Sequence, residues 1–318
     1  MYHSVRDEPE RYANSIGAGI IHATPVFERQ MEIVSRRFNP VTVDDVRLFL
    51  EEGKPLPRRA VAVTFDDGFA DNSELAAPIL SRFGIPAAFY LTVGLINTKN
   101  PPWYCRLRHA FATTKKEEWV FSVNEKPAPE KPRSLSTPQD RDVALLAAFD
   151  LCSPLAGDTL EQAVQSVERG LDVAPLTDEQ GFMMDWDQAR ALQREGHIVG
   201  CHTLTHPNVA HVSEAVARKE VVESRGRLDE ELGSPVLHFS YPHPGLNPNW
   251  NAETVEMTRE AGYKTAVTTD PGPVRTGDHP LSLTRIYTPR SEQEFVWSLE
   301  RAFLRRRQRP SAAPLVTR

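Results

Sequence analysis

Cysteine is scarce in this chain. Three residues among 318, Cys105, Cys152 and Cys201, are odd in number and scattered, which excludes a disulfide framework and a Cys-x-x-Cys metal site. No apolar run reaches membrane-spanning length, and residues 1–30 lack the charged-then-apolar order of a signal region. Taken from Met1, the sequence therefore reads as cytoplasmic; a longer N-terminus would make an extracytoplasmic or membrane-surface location the expectation. There is no excess of positive charge either. A formal net charge of -6 argues against nucleic acid as a partner, because phosphate contacts need a basic face. The basic stretch 301–309 is a local exception, read as a solvated helix face, with contact to an anionic membrane or polymer through Arg305-Arg306-Arg307 as the alternative. No internal repeat is evident.

What is present is ordinary for a globular protein. Hydrophobic residues make up 40% and charged residues 25%, and the length suffices for a sizeable core. Strand-like runs at 61–65, 88–93, 197–200, 237–240, 265–268 and 283–287 alternate with helical patterns at 26–37, 43–52, 73–83, 186–195, 213–232 and 251–261. That alternation predicts a parallel sheet with crossover helices, closing as an α/β barrel. It implies one domain over 1–300 and a basic tail over 301–318, frayed from Pro310. Residues 102–175 break the alternation. They hold a proline-rich loop over 125–138 and helical patterns at 140–149 and 160–170, a helical insertion expected to act as a lid or side subdomain. Its aromatics Trp103, Tyr104 and Trp119 are expected to pack the insertion onto the barrel, with stacking on a sugar ring as the alternative.

Two short segments carry the chemistry. Thr64-Phe65-Asp66-Asp67-Gly68 follows one apolar strand, and His202-Thr203-Leu204-Thr205-His206 follows another. Alone, the first reads as a turn and the second as a surface pair. Together, at the carboxyl ends of two parallel strands, they offer one carboxylate and two imidazoles, a set accepted by Zn²⁺ and its first-row neighbours. Asp67 can ligate while Asp66 stays free as a general base toward water. Cys201 adjoins His202 on the opposite strand face and reads as a buried structural thiol. The same ligand types occur in the facial triad of iron(II) oxygenases, but there the usual His-x-Asp lies on a β-sandwich strand, unlike the order found here.

These segments resemble the first two signature motifs of the polysaccharide deacetylases, the NodB-homology group or carbohydrate esterase family 4. The resemblance extends loosely from Tyr2-His3-Ser4-Val5 to about Arg290. It implies a distorted (β/α)7 barrel, a divalent metal (Zn²⁺ first, with Co²⁺, Ni²⁺ or Fe²⁺ as alternatives) held by Asp67, His202 and His206, and Asp66 as base. It further implies an N-deacetylase acting on an N-acetylhexosamine polymer or glycan precursor; amidases of small cyclic nitrogen compounds in the same family are the runner-up, and a non-catalytic carbohydrate-binding homologue is the third reading. The usual Arg-Pro-Pro-Tyr-Gly motif is replaced by Phe239-Ser240-Tyr241-Pro242-His243-Pro244-Gly245, similar to a circularly permuted branch containing biofilm poly-N-acetylglucosamine deacetylases. Within that resemblance His243 is the counterpart of the residue whose backbone N–H stabilises the oxyanion, Tyr2-His3 supplies His3 as general acid, and Arg285 takes over from the missing motif arginine in orienting Asp66. The first barrel strand is then expected to precede Tyr2-His3.

Overall fold

The computed structural model describes residues 1–120, 122–123, 126–127, 132–177 and 181–304. The Arg305-Arg306-Arg307 run and part of the 125–138 loop lie outside the described residues. Six short apolar runs form one sheet: β1 (Val63–Phe65), β2 (Ala87–Leu91), β3 (Ile198–Cys201), β4 (His238–Ser240), β5 (Thr265–Pro271) and β6 (Leu283–Arg285). They lie side by side in chain order and all neighbours are parallel. A parallel sheet wound in one direction curls toward a barrel, which puts every strand's carboxyl end on the same rim.

The two edge strands are joined by the start of the chain. The Tyr2 N–H donates to Thr64 O at 2.8 Å, the Met1 amine donates to Ile286 O at 3.0 Å, and Thr288 Oγ1 donates to Met1 O at 2.7 Å. Met1-Tyr2 therefore occupies the place expected for a strand preceding it. At the other end of the same edge, Asn39–Pro40 pairs in parallel with Ala60–Val61. Aromatic packing fixes this closure. The Tyr2, Phe65 and Phe89 rings stack in sequence, with centroids 5.4 and 4.8 Å apart, and each such buried side chain contributes roughly 1.5–3 kcal/mol. In β3, a Cβ on Gly200 would lie 2.6 Å from the Tyr90 ring, so the close approach of Tyr90 requires glycine there.

Helices α1 (Thr24–Arg37), α2 (Val43–Glu52) and α3 (Ala77–Arg82) precede the insertion. The helix expected over 73–83 instead begins as a π-turn at Asn72–Ala76 and restarts at Ala77. Pro78 accounts for the restart, since it has no N–H to offer the preceding turn. The insertion carries α4 (Trp103–Thr113), α5 (Pro138–Cys152) and α6 (Gly157–Leu171). The first of these was not expected; Pro102 supplies its extended N-cap, and seven buried side chains outweigh a modest propensity. Phe111, Trp119, Leu145, Phe149, Leu160 and Val164 lie in a core separate from that of the barrel. Both insertion tryptophans are buried in it, Trp103 at 5% and Trp119 at 2% exposure, which favours packing over sugar stacking. At its stem, the Asn97 N–H donates to Met184 O at 2.9 Å, and the Met184 N–H donates to Gly68 O at 3.0 Å. The barrel then resumes with α7 (Trp186–Arg194), α8 (Glu214–Leu232), α9 (Ala252–Glu260) and α10 (Glu292–Leu304). Among the described residues no helix is long and apolar enough to cross a membrane.

His238, at the amino end of β4, is buried and bonded through Nδ1 to Thr265 Oγ1 at 2.8 Å. Burial outweighs Asp44 at 3.8 Å and pushes the imidazole down to about 4. The unfolded chain then binds a proton that the folded one refuses between pH 6.5 and about 4, so folding stability falls as pH falls through that window, by at most about 1.4 kcal/mol per unit. Denaturant unfolding of wild type and His238→Gln across this range should show the wild type losing stability more steeply.

Candidate active site

Asp66 and Asp67 follow β1 directly and turn to opposite tasks. The backbone makes this possible: Asp67 adopts φ 77° and Gly68 φ 87°, a left-handed turn that points consecutive carboxylates apart. Both aspartates are 2% exposed. Asp66 receives Arg285 in a fork, Nη1 to Oδ1 at 2.8 Å and Nη2 to Oδ2 at 2.6 Å, with Ser240 Oγ donating to Oδ1 at 3.2 Å. Burial raises the Asp66 pKa, but the charge and hydrogen bonds of Arg285, together with the nearby His202 and His3, outweigh it and hold the carboxyl at about 2.

Asp67 faces the imidazoles. Its Oδ1 lies 3.6 Å from His202 Nε2 and 3.4 Å from His206 Nε2, and the three ligand atoms fall within 4.8 Å of one another. Ligands about 2.0–2.1 Å from a tetrahedral zinc stand about 3.3 Å apart, so the spacing fits a shared ion. The donor chemistry fits as well. His202 Nδ1 meets Ser240 O at 2.7 Å; a carbonyl can only accept, so Nδ1 carries the proton and Nε2 presents its lone pair. Burial raises the Asp67 pKa, yet the two imidazole contacts reverse this and leave it well below the carboxylate range. Burial also depresses His206, against the pull of Asp67, favouring the neutral form that a ligand requires.

The His-x3-His loop is strained and braced. Thr203 has φ 67° and His206 φ 63°, conformations that cost of order 1–3 kcal/mol each outside glycine. Glu220, buried on α8, accepts the Leu204 and Thr205 N–H groups at 2.9 Å each and the Thr205 hydroxyl at 2.6 Å. From the other side Gly94 N–H donates to Leu204 O at 2.9 Å, and a Cβ there would lie 2.4 Å from that oxygen. Cys201 is buried and bonded to Ser224 at 3.0 Å, away from the ligand cluster.

His3 is part-buried at the rim, directly after the closing strand. Burial lowers its pKa, and Asp67 and Asp66 oppose that shift, so it lies within electrostatic reach of both carboxylates. His243 is exposed, its ring fixed between Leu246 O at 3.1 Å and Thr269 Oγ1 at 3.0 Å. Asn208 ties that loop to the insertion: its Nδ2 donates to Gly245 O at 2.8 Å and its N–H to Ser153 O at 2.7 Å. Glu220 and Asn208 escaped the sequence reading; Tyr104 of α4, expected to pack the insertion onto the barrel, does so with its ring centroid 4.8 Å from that of His206. Only Tyr104 had a readable signal, in the Pro101-Pro102 pair that starts its helix.

A parallel α/β barrel with a buried Asp-His-His cluster and a second carboxylate at the strands' carboxyl rim defines a class of α/β-barrel proteins whose rim could hold a metal ion. Within that class the chain belongs to the polysaccharide deacetylase family, whose model matches residues 53–266. Ninety residues are 30% identical to the poly-β-1,6-N-acetyl-D-glucosamine N-deacetylase of Escherichia coli (strain K12), covering 28% of this chain and 12% of that protein. With 30% coverage of the Bacillus subtilis (strain 168) protein YxkH, the chain spans less than a third of these curated relatives. The fold is similar to the Streptococcus pyogenes deacetylase PplD in complex with acetate, with a TM-score of 0.57 at 19% identity, covering 90% of this chain and 89% of that one. It is also similar to IcaB from Ammonifex degensii, with a TM-score of 0.55 at 19% identity over 87% and 89% of the two chains.

Arg285→Gln should leave the buried Asp66 charge without its partner, at a cost of roughly 3–5 kcal/mol near neutral pH. In wild type Asp66 contributes stability above pH 3.8 that is lost as pH falls toward about 2. In the variant burial dominates, the folded pKa rises above the unfolded one, and acidification relieves the penalty. Unfolding free energies of the pair should converge from pH 7 toward pH 4; a gap that stays constant would contradict the assignment.

Proposed function

We propose that this protein is a metal-dependent N-deacetylase that releases acetate from N-acetylhexosamine residues of a polysaccharide or glycan precursor, with Zn²⁺ as the ion. The observation that carries this reading is the division of labour between adjacent carboxylates, Asp67 turned to two imidazoles and Asp66 to Arg285. The name of the Escherichia coli relative supports the substrate class.

Asp67, His202 and His206 would hold a divalent ion, which when bound would supply Lewis-acid polarisation of the acetamide carbonyl and of water. Asp66, ionised throughout the working range, accepts the proton of that water as its oxygen adds to the carbonyl carbon. Arg285 keeps the carboxylate oriented through two charge-assisted bonds. The His243 N–H donates to the oxyanion that develops on the former carbonyl oxygen. His3 then gives a proton to the sugar nitrogen as the carbon–nitrogen bond breaks, leaving acetate and a free amine. Because burial lowers its pKa, protonated His3 is a stronger acid than ordinary imidazolium.

Acetate release should be measured on N-acetylglucosamine polymers, peptidoglycan, chitin and lipid-linked precursors at matched metal content. Asp66→Asn should retain metal but, by leaving the buried Arg285 charge without its partner, lose stability as well as roughly 10²–10⁴-fold in rate. His3→Ala should slow amide cleavage strongly while sparing an activated ester, whose leaving group needs no proton. Equal losses on both substrates would remove His3 from the role of acid, and no acetate from any glycan would defeat the reading itself.

A further inference from the structure

The His3 ring makes no hydrogen bond among the described residues, so its place is set by its backbone. That backbone lies at a junction. Up to Tyr2 the chain belongs with the main sheet, where the Asp66 N–H donates to Tyr2 O at 3.1 Å. From Ser4 it leaves: Ser4–Arg6 pairs in parallel with Ile21–Ala23 as a separate two-stranded sheet. A residue passing between two sheets has no ladder of its own, and connecting backbone is the more mobile part of a fold. His3 therefore depends on anchors at its far side.

Asp71 and Asn72 are those anchors. Asn72 Nδ2 donates to His3 O at 2.6 Å and to Asp71 Oδ1 at 2.8 Å. A carbonyl and an ion-paired carboxylate can only accept, so the amide has one workable orientation and both its hydrogens are used. Asp71 in turn accepts the Val5 N–H through Oδ1 at 3.0 Å and the Ser4 hydroxyl through Oδ2 at 2.6 Å, and Arg6 Nε meets the same Oδ2 at 2.7 Å. Arg6 is itself steadied, its guanidinium lying 4.2 Å from the centroid of the Tyr12 ring. Asp71 and Asn72 are fully buried, where a hydrogen bond is electrostatically stronger than in water. Asn72 Oδ1 is buried without a partner, which costs roughly 1–3 kcal/mol; packing alone does not account for an amide here. The nearest anchors on both sides of His3 thus come from residues 66–72, the stretch that also carries Asp66 and Asp67.

We propose that Asn72, held by Asp71, is a positioning residue of the reaction, fixing the His3 backbone so that the imidazole stands at a set place relative to Asp66 and Asp67. This rests on the reading of His3 as the group that protonates the departing amine. Being fully buried, Asn72 and Asp71 do not reach substrate and act through the His3 main chain. A misplacement of about 1 Å at a reacting group can cost roughly 10²-fold in rate. With acid and base tied to one stretch of chain, the two cannot drift apart independently.

The test uses the full chain at matched Zn²⁺ content and compares acetate release from an N-acetylglucosamine oligomer with hydrolysis of p-nitrophenyl acetate, whose leaving group needs no proton. The ratio of the two rates, taken on one preparation, does not depend on how much of the protein is folded. Asn72→Leu, similar in shape, should lower that ratio roughly 10–100-fold, in the direction of His3→Ala and by no more than it. In the His3→Ala background the same substitution should leave the ratio where His3→Ala put it, because residues acting as one unit are not additive. Should Asn72→Leu yield no folded protein, Ser4→Ala, which removes one bond to Asp71, should shift the ratio the same way by a smaller factor. An unchanged ratio in the folded variant overturns the proposal even where both rates or the Tm fall, since that is the signature of a purely structural role. So does an equal drop with and without the His3 side chain, which would mean that Asn72 acts on another group. If His3→Ala itself leaves the ratio unchanged, the reading of His3 as acid fails and takes this proposal with it.

Discussion

The buried fork between Arg285 and Asp66 is the constraint around which the site is assembled. Arg285 sits at the end of β6, donates through Nε to Thr268 O on β5 at 2.8 Å, and approaches Ser240 Oγ of β4 at 3.2 Å. One guanidinium thus links β4, β5 and β6 to the residue that follows β1, across the opening of the sheet. An ion pair this dry survives only because nearly every donor is used; removing either partner strands a charge in the interior. The same bonds set the chemistry. A carboxylate held at about 2 is permanently ionised and directional, at the expense of intrinsic basicity.

Strain and bracing accompany this arrangement. Asp67, Thr203 and His206 all take left-handed backbone conformations, unusual for side chains of their size. They tolerate it because the surroundings over-determine the loop: Glu220 grips it from α8, the Gly94 turn grips it from the other side, and Thr203 Oγ1 accepts the His206 N–H at 3.0 Å. Backbone strain at these candidate ligand positions keeps the three donor atoms converged, which on the proposed reading would reduce the reorganisation that binding an ion demands.

The barrel and the Asp67, His202 and His206 cluster were legible because their signals are local. Asp66-Asp67-Gly68 and His202-x3-His206 each sit within a few residues of a strand, and β-branched runs announce the strands. Arg285 was reachable through family resemblance, since a motif arginine was missing and Ser240 stood in its place. Other features lie beyond local pattern. Glu220 is one of many acids on α8, and nothing in its neighbours distinguishes a residue that caps a distant loop from one that faces water. With helix α4 unread, nothing local placed Tyr104 near His206; that nearness depends on how the insertion folds back. The closing of the sheet by Met1-Tyr2 follows from tertiary pairing with Thr64 and Ile286, which no periodicity encodes.

The stem of the insertion carries a consequence for how this chain can vary. Asn97 and Met184 are hydrogen-bonded neighbours, so the excursion between them leaves and re-enters the barrel at nearly one point. The entropic cost of closing such a loop grows only with the logarithm of its length, and most of its apolar core is its own, with Ile16, Ile21 and Phe69 added from outside it. In architectural terms it is a module on a fixed socket, whose outer parts are open to lengthening, shortening or exchange without disturbing the strands below. Trp103 and Tyr104 beside His206, and Ser153 bonded to Asn208, set the limit on that freedom. A graft that replaced the rest while sparing Trp103, Tyr104, their proline-led helix start and Ser153 would alter the walls around the rim and leave the surroundings of His206 intact.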